Sequence, residues 1–323
     1  ELEAGIELNV DIDFDDLGFE PEAGKPIRNY SGEYYQLLAE KLSYLIGGTA
    51  DLSASTRINL DQYADIKRGN FGGKNIKFGV REHAMAATAG GIMLHGGLRP
   101  VTATYLTFSD YMRPSLRMAA MMGLPVIYVF THDSIHVGQD GPTHQPVEQL
   151  ESLRMIPGLR VIRPANSIEV RLAWDSAVKE KKKPVALVMA RQAVDSYKTK
   201  ISAEEFEKGA AIVSESSGAE IAVMASGSEL ETAKKVKELL KDKYKIRVIS
   251  VFEKEKLYQN QVYLKQLLKD VKLSVAIEAG NPTGWYRIAR GKALVFGIED
   301  FGFSAAGEKI AEKFGLTAEK ISL

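Results

Sequence analysis

The sequence predicts an α/β protein of two doubly wound domains with mostly parallel sheets, and three observations carry that prediction. Short continuous runs of Val, Ile, Leu and Ala alternate with amphipathic stretches along nearly the whole chain. That is the pattern of strands buried on both faces and separated by covering helices. The alternation is interrupted by one polar stretch, DSYKTKISAEEFEKG at 195–209, and then resumes. At 323 residues the chain is long enough for two domains of ordinary size.

The opening segment ELEAGIELNVDIDFDDLGFEPEAGKP is acidic, lacks helical periodicity and ends in Gly and Pro, so residues 1–25 read as a linker or arm. A first domain is expected over 26–194. Its strand candidates are IKFGV (76–80), PVTATY (100–105), PVIYVFT (125–131), LRVIRP (159–164) and PVALVMA (184–190), with the apolar LIGG ahead of them. Helices are expected over about 31–43, 82–95, 108–122, 145–155 and 167–181. Residues 195–209 read as a second linker and 210–323 as a second domain. There the strand candidates are EIAVMAS (220–226), IRVISV (246–251), LSVAIEA (273–279) and KALVFGI (292–298). Ser228 and Glu231 stand in capping-box spacing and predict the start of the helix after the first of them.

Composition narrows the function. Lys plus Arg and Asp plus Glu are 42 each, which argues against a nucleic-acid or membrane partner. There is no cysteine, so disulfides, thiolate metal sites and a cysteine nucleophile are excluded. No apolar run approaches the roughly 18 residues a span requires, and nothing resembles a signal peptide. The expectation is a soluble, cytoplasmic protein. The chain begins at Glu1 without a methionine, as a fragment or processed piece of something longer would.

In open α/β sheets, ligands gather beyond the carboxyl ends of the strands. Three loops there carry polar groups: TADLSAST with Asp51 and Ser55, HDSIHVGQDGPTHQP with His132, His136, Asp140 and His144, and the end of PVALVMA with Arg191. The histidines lie in a Gly- and Pro-rich loop, which disfavours a metal-ligating helix. They read either as loop-bonding residues or as imidazoles that bind and shuttle protons around an oxygen-rich substrate. Arg191 is a surface ion-pair partner or a fork for phosphate or carboxylate. Tyr105, Phe108 and Tyr111 recur at three-residue steps, as on one side of a helix, and on spacing alone read as core. Glu82 opens a helix of small residues (EHAMAATAGG) and taken alone reads as a first-turn carboxylate satisfied by free amides and the helix dipole. The glycine turn ASGS and the stretch EAGNPTGWYR (278–287) read as structural.

Taken together, GGTADLSAST, FGVREHAM, TYLTFSDYMRPSLRMAAM, THDSIHVGQDGPTHQPVEQLESLRMIPGLRVIRPA and MARQ resemble, in order and at similar separations, the transketolase family of thiamine diphosphate enzymes. The resemblance covers most of residues 26–323. It implies the pyrimidine-binding domain, of the thiamine diphosphate-binding fold, followed by the family's C-terminal domain. It implies that Glu82 bonds the ring nitrogen N1′ of the aminopyrimidine, favouring the form whose 4′-imino group takes the C2 proton of the thiazolium. Tyr105, Phe108 and Tyr111 match positions that enclose that ring, with Phe108 the stacking partner, and Asp51 matches a position near the cofactor. Arg28, Ser55 and Arg191, with His132 nearby, match residues that hold the substrate phosphate. Asp140 matches a group that meets sugar hydroxyls, and His144 the proton shuttle near the carbonyl oxygen.

The implied reaction is transfer of a two-carbon ketol unit from a ketose phosphate to an aldose phosphate. The related 1-deoxyxylulose-5-phosphate and dihydroxyacetone synthases, and a non-catalytic partner module, are the alternatives. Two departures stand out: His136 where the family more often has glycine, and Tyr105 where it more often has phenylalanine. The family's GDG motif and later Asn, which hold the diphosphate through a divalent metal such as Mg or Ca, have no counterpart in this sequence. The resemblance therefore implies half a site. It would be completed in a homodimer of a longer enzyme or a heterotetramer with a chain bearing the diphosphate domain, across an apolar association surface.

Overall fold

The computed structural model describes residue 10 and residues 12–194, 201–289 and 291–323. Most of the first ten residues of the expected arm, and residues 195–200 of the expected second linker, lie outside them. The two sheets follow the predicted pattern. In the first, β1 (Leu45–Thr49), β2 (Asn75–Lys77), β3 (Arg99–Tyr105), β4 (Ile127–Thr131), β5 (Arg160–Ile162) and β6 (Val185–Met189) lie in the order β2-β1-β3-β4-β6-β5. Every pairing is parallel. Every residue of β1, β4 and β6 is buried, which is why these strands read as continuous apolar runs rather than alternations. The chain steps from β1 outward to β2 and returns on the other side to β3, making a topological switch point between β1 and β3.

Helices α1 (Ile27–Lys41) and α5 (Ser167–Lys179) bury Tyr30, Tyr34, Tyr35, Leu38 and Trp174 against one face of this sheet, with the Tyr35 ring stacked 5.2 Å from Trp174. Between them in sequence, α2 (Glu82–His95), α3 (Ser109–Met122) and α4 (Gln149–Arg154) cover the other face, burying Met85, Ala89, Met112 and Leu116 against Tyr128, Phe130 and Val188. Gly48 is required by close approach. A Cβ there would stand 2.2 Å from the Ile76 carbonyl oxygen and 2.7 Å from the Phe78 ring.

The second sheet runs β11-β10-β8-β9-β7, from β7 (Ala211–Ser214), β8 (Ile221–Ala225), β9 (Ile246–Ser250), β10 (Leu273–Ile277) and β11 (Lys292–Phe296). The edge strand β7 is antiparallel and the rest are parallel. Helices α6 (Glu229–Leu240) and α7 (Gly307–Lys313) contribute Leu230, Ala233, Ile310 and Ala311 to its core.

Several local expectations are corrected. The capping box at Ser228 does not form: Ser228 is itself in helical conformation, makes no side-chain cap, and donates its hydroxyl to Glu229 Oε1. A capping box does form within 195–209, where Ser202 and Glu205 satisfy each other's backbone amides and open a short helix, Ala203–Phe206. Phe206 is buried there, its ring 4.3 Å from Phe252. The helix expected over 145–155 starts only at Gln149, whose Oε1 accepts from the Val147 amide outside the helix. The arm packs as well, with Phe14 and Leu17 buried in the first domain's core.

Candidate active site

The polar groups singled out above converge on the carboxyl edge of the first sheet, at and beside the switch point. Three of the four described non-glycine residues with positive φ lie on this edge: Asp51 (62°), Arg57 (62°) and His132 (58°). Such backbone costs of order 1–3 kcal/mol per residue and clusters where a site over-determines it.

The start of α1 is tied to the end of β6. The Arg28 amide donates to the Ala190 carbonyl at 3.1 Å, and Pro26 bridges to Ala193. This brings Arg28 towards Arg191, 163 positions later in the chain. Arg28 Nη1 donates to the Ser55 carbonyl at 2.9 Å and to His132 Nε2 at 3.1 Å. A guanidinium can only donate, so Nε2 is the acceptor nitrogen. Nδ1, 2.8 Å from Thr131 Oγ1, then carries the ring proton. Burial, and after it Arg28, Arg191 and His144, push the His132 pKa down to about 3, so this imidazole is neutral at physiological pH. Burial and then Arg191 and Arg57 likewise lower Arg28 below the ordinary arginine value. Arg191 donates to the Val137 carbonyl at 2.5 Å. Arg28 and Arg191 make no ion pair among the described residues, and Arg28 Nε is buried without a partner. Guanidinia left uncompensated around a neutral imidazole suit a dianion such as phosphate.

The aromatic residues build the adjoining wall. They do not share one side of a helix, as their spacing suggested. Tyr105 ends β3, Phe108 closes a 3₁₀ turn (Leu106–Phe108) and Tyr111 sits in the first turn of α3. The chain turn between them nonetheless gathers the rings: Tyr105 stacks on Phe108 (5.8 Å between centroids, 6° between planes), and Phe108 lies 6.2 Å from Tyr111. His132 stacks on Tyr105 at 3.7 Å, while His144 meets Tyr105 and Phe108 edge-on. Tyr111 is 64% exposed, so the wall is open on that side rather than closed into the core. Thr143 Oγ1 lies 3.0 Å from His144 Nδ1. Asp140 is exposed in the turn between Gly138 and Gly141.

Glu82 is the first residue of α2, and only 8% of it is exposed. Among the described residues its carboxylate has no hydrogen-bond or ion-pair partner, neither a helix amide nor a neighbouring cation. Its oxygens are not sealed from solvent, so the carboxylate is free to accept from a donor outside the chain. Asp51, exposed and strained, stands on the neighbouring strand end. Ser55 is half-buried and enters the network through its carbonyl.

Two members of this edge were not singled out from sequence: Arg57, whose position two residues beyond Ser55 was the available signal, and Thr131, which orients His132. Among the described residues no group of three or more His, Asp or Glu could hold a metal, and no helix is long and apolar enough to cross a membrane. The ASGS turn is filled by the protein itself. Arg163 Nη1 donates to the Ser226 carbonyl at 2.9 Å, and Gly227 leaves room for its guanidinium.

Two family descriptions match the chain: the transketolase pyrimidine-binding domain over residues 24–196 and the transketolase-like C-terminal domain over 209–317. A transketolase of Aquifex aeolicus is 40% identical over 331 residues, covering 99% of this chain and 48% of its own. A Pichia stipitis transketolase solved in complex with sedoheptulose-7-phosphate superposes with a TM-score of 0.90 at 29% identity, covering 97% of this chain and 47% of that one. The chain thus spans about half the length of the curated relatives it matches. A split-gene transketolase, described as an inactive β4 tetramer, superposes with a TM-score of 0.74 at 19% identity, over 93% of this chain and 96% of its own. That likeness extends to the fold.

Proposed function

The chain belongs to the transketolase family, and from that membership we propose that it supplies the pyrimidine-binding half of a thiamine diphosphate site. Adjoining it is the pocket in which a ketose phosphate gives up a two-carbon ketol unit to an aldose phosphate. The observation that carries the reading is the Glu82 carboxylate, on a largely buried residue and without a partner among the described residues, at the same sheet edge as an open aromatic wall. A flat heterocycle with a protonated ring nitrogen matches both: Phe108 and Tyr105 offer faces to stack on, and Glu82 offers the acceptor. When bound, the cofactor supplies the electron sink for carbon–carbon cleavage that side chains lack.

The chain's own residues would do the remaining work. Glu82 holds a proton at the ring nitrogen. Arg28 and Arg191, with the neutral His132 between their charges, anchor the phosphate and so orient the sugar. His144, whose edge faces the aromatic wall, moves a proton at the substrate carbonyl oxygen, and Asp140 accepts from a substrate hydroxyl. Asp51 borders the cofactor and Ser55 the phosphate. The diphosphate and its divalent metal belong to a domain outside this sequence, which contains no GDG. The chain would be inactive without it, and a homodimer or a heterotetramer with a diphosphate-domain chain would complete the site. An apolar face on α2 and α3, with Leu94, Met118, Met121 and Met122 exposed, fits that association. Whether as a subunit or as the C-terminal portion of a longer enzyme, it would work in the cytoplasm on pentose-phosphate sugars.

The test is Glu82→Gln in the reconstituted assembly. Ketol transfer from xylulose 5-phosphate to ribose 5-phosphate should fall by at least about 100-fold, the range of one acid–base group, while the melting temperature of the chain stays put. Undiminished transfer would refute the role. Preference for pyruvate with glyceraldehyde 3-phosphate would assign the related synthase chemistry instead.

A further inference from the structure

The loop carrying Asp140 and His144 is held from behind by the second domain. Its two ends, Ile135 and Val147, are buried not in the first domain's cores but among Ala279, Ile298 and Ile310 of the second. The Val147 carbonyl accepts from the Asn281 amide at 2.9 Å. Between these anchors, the segment 302–307 lies along the loop. Gln145, 2% exposed, donates from one Nε2 to the Gly138 carbonyl at 2.7 Å and to the Phe303 carbonyl at 3.1 Å. Ser304 Oγ donates to the Gln139 carbonyl at 2.5 Å. Gln145 and His136 each stand opposite a glycine of that segment. A Cβ on Gly302 would fall 1.8 Å from Gln145 Oε1, and one on Gly307 would fall 3.2 Å from His136 Cα and Nδ1. The His136 ring is thus accommodated by the missing side chain at 307.

We propose that the second domain is a positioning element for the reaction: segment 302–307, acting through Gln145, fixes the turn that presents Asp140 and His144. The eight-residue stretch from Gly138 to Gln145 is rich in glycine and proline, and within it, apart from the Gln145 side chain, the backbone is held among the described residues by turn hydrogen bonds such as Gly141 N to Gly138 O (3.1 Å) and His144 N to Gly141 O (3.0 Å). Such a turn has little stability of its own. One amide that bonds a carbonyl of the loop and a carbonyl of the other domain makes its position a property of the domain contact. Gln145 touches neither cofactor nor substrate in this scheme; it acts through the loop. The inference rests on the proposed function for its catalytic consequence, though not for the contact.

The experiment is hydrogen–deuterium exchange on the chain alone, with Gln145→Glu, which faces the two carbonyls with an acceptor, and with the milder exposed-site change Ser304→Ala. Amides 138–145 should exchange at least about tenfold faster in the first and about threefold faster in the second, with both sheets unchanged. Unaltered loop exchange in both overturns the proposal, and Ser304→Ala keeps the test open should Gln145→Glu not fold. In the reconstituted assembly, the same variants should lower kcat/KM for the ketose phosphate by about tenfold and threefold. Inhibition by inorganic phosphate, which reads Arg28, His132 and Arg191, should be unchanged. Faster loop exchange with unchanged turnover would overturn the positioning role. An inactive unsubstituted assembly would instead refute the proposed function, and the exchange data would still decide the contact.

Discussion

Replacing Arg154 with methionine tests what joins the two domains. Arg154, on α4, forms a two-pronged ion pair with Glu278 beyond β10: Nη1 to Oε2 at 2.7 Å and Nη2 to Oε1 at 2.8 Å, each side chain 1% exposed. Ser226 and Trp285 also donate to Glu278, and Arg163 lies 3.7 Å away. Burial alone would raise the Glu278 pKa, but Arg154, then Lys254 and Arg163, hold it well below the ordinary carboxylate range. Removing one partner of a buried pair strands the other charge, at a cost of about 3–5 kcal/mol. Unfolding entropy of about 2.1 cal/mol/K per residue over roughly 300 residues comes to about 0.6 kcal/mol/K, so Tm should fall by about 5–8 °C if the chain unfolds as one unit.

The pH dependence has a definite sign. A carboxylate with a depressed folded pKa contributes stability that is full above its unfolded value and is lost as pH falls through the folded one. The variant's deficit should therefore be complete at pH 7 and shrink as pH drops below about 5. Scanning calorimetry of both proteins from pH 4 to 8 measures it. Arg154→Met with Glu278→Leu should recover part of the loss, because the stranded carboxylate is gone while Ser226 and Trp285 lose their acceptor. A deficit below about 1 kcal/mol, or one that grows towards acid, would refute the argument that this pair is desolvated and mutually dependent.

Other expectations follow from the site and the core. His132 should show no ring titration by NMR between pH 5 and 8, since its pKa is pushed down to about 3, and Arg28→Met should move its pKa upward. A wild-type midpoint near 6.5 would contradict the pairing. Arg28→Met and Arg191→Met should each weaken inorganic phosphate binding by calorimetry about tenfold, or roughly 1.4 kcal/mol; no change would remove these residues from the anion site. Gly48→Ala, which sets a methyl against a backbone oxygen, should destabilise the chain by about 3 kcal/mol or more in denaturant unfolding. Gly91→Ala, with nothing within 4 Å of the added carbon and a helical backbone, should stabilise the isolated chain by about 0.5–1 kcal/mol.

The sheet architecture was legible because burial on both faces forces unbroken apolar strands, and such runs survive in one dimension. The site's loops were legible for a related reason: parallel strands put all their carboxyl ends on one edge, so polar groups following strands β1, β4 and β6 had to meet. Spacing misled at Tyr105, Phe108 and Tyr111, since three-residue steps arise as readily across a strand end and a turn as along a helix. It misled again at Ser228, whose hydroxyl found Glu229 before the backbone.

From the chain of letters alone came the strand and helix alternation, the edge where chemistry would gather and the family pattern around Glu82. Only the folded molecule decided which groups pair. The Arg28–His132 contact spans 104 positions, the Arg154–Glu278 pair 124, and the Gln145–Phe303 contact 158. A lone Arg or Glu in a loop reads as a solvated charge until a second domain removes its water. Whether a carboxylate ends paired, like Glu278, or left open, like Glu82, depends on neighbours distant in sequence. Local periodicity carries no record of them.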